Sequence, residues 1–133
     1  MTLDNRVKIW IQKAEYDLET AKAMLKAKRY LYVGFMCQQA LEKLLKANYL
    51  TEKMGEPPYT HNLRFLAESL SISFSPQTLR FFDKVVAYYV TGRYPSYKET
   101  LAKRLTKDSS REILKETREI FQWLLSQLKR KMR

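Results

Sequence analysis

YLYVGFMCQQALEKLLKANYL, residues 30–50, reads as a helix that is apolar on almost every side. Val33, Met36, Cys37, Ala40, Leu41, Leu44, Leu45 and Ala47 cover its faces, and neighbours must wrap it. Each large apolar side chain withdrawn from water contributes roughly 1.5–3 kcal/mol. A single polar stripe interrupts the pattern: Gln39, Glu42, Lys43 and Lys46, spaced i, i+3, i+4, i+7, fall on one helix face. Two readings fit the stripe, a solvated strip paired along the helix or a polar wall facing a site or a second subunit.

Outward from this helix the chain is short of helix breakers. Three glycines and four prolines in 133 residues sit mostly in brief breaks, so long helices with tight connections are expected over strands. On its N-terminal side Val7, Ile11, Ala14, Leu18, Ala21 and Leu25 recur at helical spacing, giving a first helix over Asp4–Lys28. A single helix running on to Met54 would be roughly 75 Å long, against a radius of gyration of about 14 Å for a domain of this size. The chain therefore reverses near Lys28, Arg29 and Tyr30, and the first two helices form an antiparallel hairpin.

On the C-terminal side Gly55, Pro57 and Pro58 end the central helix. Thr60 is the expected N-cap of a short third helix carrying Leu63, Leu66, Ala67 and Leu70, with His61 in its first turn. Ser75 and Pro76 open a fourth helix with Leu79, Phe82, Val85, Val86 and Tyr89 on its apolar face, stopping at Gly92. Ser109 and Glu112, in capping-box spacing, open a fifth with Ile113, Thr117, Ile120, Leu124 and Leu128 inward and Phe121 and Trp123 widening that face. Between Tyr97 and Ser109 an irregular stretch or one extra turn is expected. The pattern predicts one domain over residues 1–133, all-α, an up-and-down bundle of about five helices.

Composition limits the function. One cysteine and one histidine leave no zinc quartet, no intrachain disulfide and no expected metal or cofactor site. Cys37, mid-helix among apolar residues, reads as a small buried hydrophobe rather than a nucleophile. No run of 18 apolar residues and no apolar leader core is present, which points to a cytoplasmic protein without membrane contact. The net charge of +11 attracts polyanions, nucleotides or acidic protein surfaces over a Debye length of about 8 Å. Eleven basic residues stand against five acidic ones from Lys98 to Arg133, a bias that suits nucleic acid and equally the C-terminal end of a helix dipole. Arg93, in Arg93-Tyr94-Pro95, either bonds the last carbonyls of helix four or offers a planar fork to a phosphate beside Tyr94 and Tyr97.

Several short motifs in this order resemble the HEPN domain family: Ala14, Asp17 and Leu18 in helix one, QQALEKLLKA in helix two, Thr60-His61-Asn62-Leu63, and Arg93-Tyr94-Pro95. The resemblance spans nearly the whole chain. It implies a helical bundle that forms homodimers, in which Gln39, Glu42, Lys43, His61 and Arg93 occupy the family's polar positions; Lys46 of the stripe and Tyr94 next to Arg93 complete the candidate ligand-binding residues. Family members include metal-independent ribonucleases and non-catalytic partners of minimal nucleotidyltransferases, some paired as toxin and antitoxin. The ribonucleases carry an arginine followed, after four to six residues, by a histidine. Here the permitted positions after Arg93 hold Lys98, Glu99 and Thr100, and those before His61 hold Met54, Gly55 and Glu56. Cleavage through a 2′-hydroxyl wants a general base of near-neutral pKa, so the missing histidine argues against an enzyme and assigns no catalytic residue. The expectation is a nucleotide-binding or regulatory partner of a nucleotidyltransferase. The alternatives are a ribonuclease that pairs Arg93 with His61, and a basic nucleic-acid binder without catalysis.

Overall fold

The computed structural model describes residues 1–93 and 105–132, the side chains of 91–93 excepted. Five helices make up the described chain: α1 Leu3–Lys26, α2 Tyr30–Lys53, α3 Leu63–Glu68, α4 Pro76–Arg93 and α5 Lys107–Lys131. No strand occurs among the described residues. The expected all-α bundle is what forms, and α2 lies at its centre, packed against each of the other four helices.

The hairpin of α1 and α2 turns where the sequence loses its periodicity. Lys28 takes a left-handed conformation (φ 62°), Arg29 N donates to Met24 O at 2.8 Å, and Lys28 N donates to Leu25 O at 3.1 Å. These two bonds close a Schellman motif on the last free carbonyls of α1. At the far end of α2 the left-handed residue is Met54 (φ 58°), one position before the glycine expected to stop the helix. Across the hairpin α1 presents Val7, Ala14 and Ala21, all buried, and the two alanines let the helices approach closely.

Two helix starts differ from expectation by two or three residues. The N-cap of α3 is Asn62, whose Oδ1 accepts from Phe65 N at 3.1 Å, while Thr60 Oγ1 accepts from Asn62 N and shapes the approach. Ser75 caps α4 as expected, accepting from Thr78 N at 3.1 Å. That helix continues through Gly92 to Arg93 instead of stopping at the glycine. The cap of α5 lies three residues earlier than the capping-box spacing suggested: Thr106 is the N-cap and Ser109 the third helical residue, each side chain bonding the other's backbone N–H. The stretch expected to be irregular lies largely outside the described residues, and of it Lys107 and Asp108 already belong to α5.

The core is built on α2 from Val33, Cys37, Ala40, Leu41, Leu44, Leu45 and Leu50. Leu63 and Leu66 of α3, Phe82 and Val85 of α4, and Ile113, Leu124 and Leu128 of α5 close it. On α4 the inward residues are Phe81, Phe82, Val85 and Tyr88, so Tyr89 is turned off the apolar face assigned to it. On α5 Phe121 is buried but Trp123 remains 40% exposed, resting edge-on against Phe74. α2 and α4 meet closely at Gly34, where a Cβ would stand 2.6 Å from Tyr88 Cγ. No helix among the described residues is long and apolar enough to cross a membrane.

Candidate functional site

The polar stripe of α2 is not a solvated strip, because α1 and the chain between α2 and α3 cover it. Glu42 and Lys46 are buried, Gln39 and Lys43 half-buried. The stripe also divides. Lys43 turns toward α1 and pairs with the buried carboxylate of Asp17. Glu42 turns the other way, to the segment carrying His61.

Both carboxylate oxygens of Glu42 are engaged. Oε1 receives Gln38 Nε2 at 3.0 Å and lies 2.8 Å from His61 Nδ1, while Oε2 receives Lys46 Nζ at 3.1 Å. A buried ion pair is tolerated only when its desolvation is offset in this way. Lys46 Nζ also stands 6.0 Å from the Trp10 ring centroid, at the outer reach of a cation–π contact. Gln38, fully buried, gives the same amide nitrogen to His61 O at 3.1 Å and accepts from Gln39 Nε2 at 2.7 Å.

Three further rings extend the cluster toward solvent. The imidazole of His61 lies over Tyr89 with centroids 4.0 Å apart and planes 25° from parallel, and its Nε2 is 2.8 Å from the Tyr89 hydroxyl. Tyr89 in turn stacks on Phe35 at 5.7 Å and 9°. On the outer side Tyr59, 95% exposed, meets His61 edge-on at 5.8 Å. The result is a column of rings, Phe35, Tyr89, His61 and Tyr59, with a buried carboxylate at its flank.

Of the residues singled out in the sequence, Glu42, Lys46 and His61 meet directly and Gln39 joins through Gln38. Lys43 is held away by Asp17. Arg93 follows Tyr89 by four residues as the last residue of α4, and its side chain and the whole of Tyr94 lie outside the described residues. Sequence reasoning missed Gln38, Tyr59 and Tyr89. Gln38 was visible as the start of an i, i+4, i+8 row with Glu42 and Lys46, but the flanking Gln39 fitted the amphipathic pattern better. Cys37 stays outside the site: burial pushes its thiol up to about 12, against a smaller opposing effect from the Thr117 hydroxyl, so it is no thiolate near neutral pH. Among the described residues no group of His, Cys, Asp and Glu is arranged to hold a metal ion.

Chemically the cluster offers an imidazole oriented by a carboxylate, and an exposed aromatic surface beside it. The fold has close structural likenesses. The crystal structure of TT1696 from Thermus thermophilus superposes with a TM-score of 0.78 at 22% identity, over 92% of this chain and 98% of that one. ST0689, described as an archaeal HEPN homologue, gives 0.72 at 24% identity over 92% and 97%. No curated protein matches the chain. The family model of the HEPN domain matches residues 7–129, nearly the full length, and the chain belongs to the HEPN domain family.

Proposed function

We propose that this HEPN-domain chain is a non-catalytic nucleotide-binding protein and the regulatory partner of a minimal nucleotidyltransferase. The observation that carries the nucleotide reading is the ring column, in which Tyr89 and His61 stack and Tyr59 stands 95% exposed above them. Bases stack on such platforms for roughly 1–3 kcal/mol each, without regard to sequence. The net charge of +11 draws the phosphates. The nucleotidyltransferase partnership is supported by family membership and by the absence of a histidine at positions 98–100, with four to six residues intervening after Arg93.

A thermal-shift series with ATP, GTP, CTP and UTP tests the binding. At 100 times Kd a nucleotide adds about 2.7 kcal/mol, several degrees for a domain of this size. Tyr59→Ala abolishes most of that shift if the platform is the site. No shift at millimolar concentration in the unaltered protein ends the reading. Arg93 carries a second arm: as a phosphate fork its replacement by lysine weakens binding ten- to a hundredfold, through loss of roughly 1.5–3 kcal/mol, whereas a helix-end role leaves affinity unchanged.

One observation favours a ribonuclease as the second reading. His61 Nδ1 is held by Glu42, the orientation a general base requires. Cleavage of single-stranded RNA by the purified protein, abolished in His61→Ala with the fold intact, would establish it in place of the first.

A further inference from the structure

We infer that Gln38 is a positioning residue, which holds the imidazole of His61 in the tautomer protonated on Nδ1 and leaves Nε2 as a hydrogen-bond acceptor in the site. Its functional meaning rests on the reading of His61 as a binding residue, and it narrows the ligand chemistry of that site.

The orientation of the Gln38 amide is dictated by its neighbours. Its nitrogen faces Glu42 Oε1 at 3.0 Å and His61 O at 3.1 Å, both acceptors, and its oxygen faces the Gln39 amide nitrogen at 2.7 Å. Turned over, the amide would set oxygen against two acceptors and nitrogen against a donor. Gln38 is 0% exposed, so no solvent can repair the mismatch. One nitrogen thus ties the carboxylate that receives the ring to the backbone that carries it. Lys46 on Oε2 prevents the carboxylate from rotating.

With Oε1 of the carboxylate able only to accept, the ring nitrogen 2.8 Å away must bear the proton. In the neutral imidazole Nε2 then keeps its lone pair, and the Tyr89 hydroxyl, 2.8 Å from it, supplies a donor. Free imidazole side chains in water favour the other tautomer, so the network imposes the choice. A ligand competing with Tyr89 at Nε2 must itself bring a donor, such as a sugar hydroxyl or an exocyclic amine. Its phosphates are received elsewhere.

The chain contains one histidine, so nitrogen NMR of the labelled full-length protein reads this ring alone. For the neutral ring, the expected spectrum shows a protonated Nδ1 and an unprotonated Nε2. In Gln38→Leu, with helicity retained by circular dichroism, the two signals move toward the average of mixed tautomers. A protonated Nε2 in the unaltered protein overturns the inference, and so does an unchanged pattern in folded Gln38→Leu. Should that variant not fold, Gln39→Leu at a half-buried position removes the donor that holds the Gln38 oxygen. A partial shift is expected there, and an unchanged pattern again overturns the assignment. Because the ring is read without ligand, this failure is distinct from a negative nucleotide screen.

Discussion

Glu42 is the residue on which most of the buried polar chemistry converges. Glu42→Ala leaves Lys46 as a buried charge without its carboxylate and removes the acceptor for Gln38 and His61. A loss of about 3–5 kcal/mol is expected in urea unfolding, the range for breaking one side of a buried pair. The double variant Glu42→Gln with Lys46→Met, which removes both charges and keeps an acceptor, should recover most of it. If the single variant is as stable as the parent, the pair is not buried in solution. Glu52 makes a different tie, accepting Lys131 Nζ at 2.9 Å and Ser71 N at 2.7 Å. Burial by itself raises its pKa, but the bonds from Lys131 and Ser71 together outweigh it and the net effect lowers the carboxyl below its ordinary 4.5. A group depressed in the folded state stabilises above its unfolded pKa, and that contribution fades as pH falls through the folded value. The stability gap between the parent and Glu52→Gln should therefore be constant near neutrality and shrink below about pH 4.5. A gap that does not change from pH 7 to pH 3 would sink the assignment.

Among the elements, the start of α2 shows how propensity yields to packing. Gly34 is poor for a helix, and alanine there gains up to about 1 kcal/mol of propensity. Yet its Cβ would sit 2.6 Å from the Tyr88 ring, itself buried between α2 and α4. Overpacking of this kind costs about 1–3 kcal/mol, so Gly34→Ala should lower the melting temperature. A raised melting temperature would mean that α4 can withdraw. The α1–α2 turn predicts the opposite sign. Lys28 bears the left-handed penalty at a position that suits glycine, and Lys28→Gly should stabilise by up to about 1 kcal/mol in urea unfolding. The start of α5 was legible only in kind: a serine three residues into a helix reads equally well as the cap, and the reciprocal Thr106–Ser109 bonds decide between them.

For the whole molecule, the expected homodimer rested on the family resemblance, on the polar stripe of α2 and on six phenylalanines and nine tyrosines, more aromatic surface than one small core needs. The stripe is used inside the monomer, on Asp17 and His61. The surplus remains, with Tyr59 95%, Tyr16 74%, Phe65 47% and Trp123 40% exposed. We expect light scattering at micromolar concentration to return twice the monomer mass of 15.9 kDa, and a stable monomer would remove the expectation. By itself the sequence determined the five helices of the described residues, the hairpin reversal at Lys28–Tyr30 and the central place of α2. Those follow from local chemistry, the 3.6-residue period of apolar side chains and the scarcity of glycine and proline, which act within a few residues of one another. It also marked Glu42, Lys46 and His61 as residues of interest. Only the tertiary structure decided that Lys43 belongs to Asp17, that Gln38 and not Gln39 holds Glu42, and that Tyr89 leaves the core for His61. Such pairings depend on the rotation of each helix about its axis and on which neighbour covers it. A turn of about one residue, roughly 100° of helix, moves a side chain from water to a buried partner while leaving the sequence pattern almost unchanged.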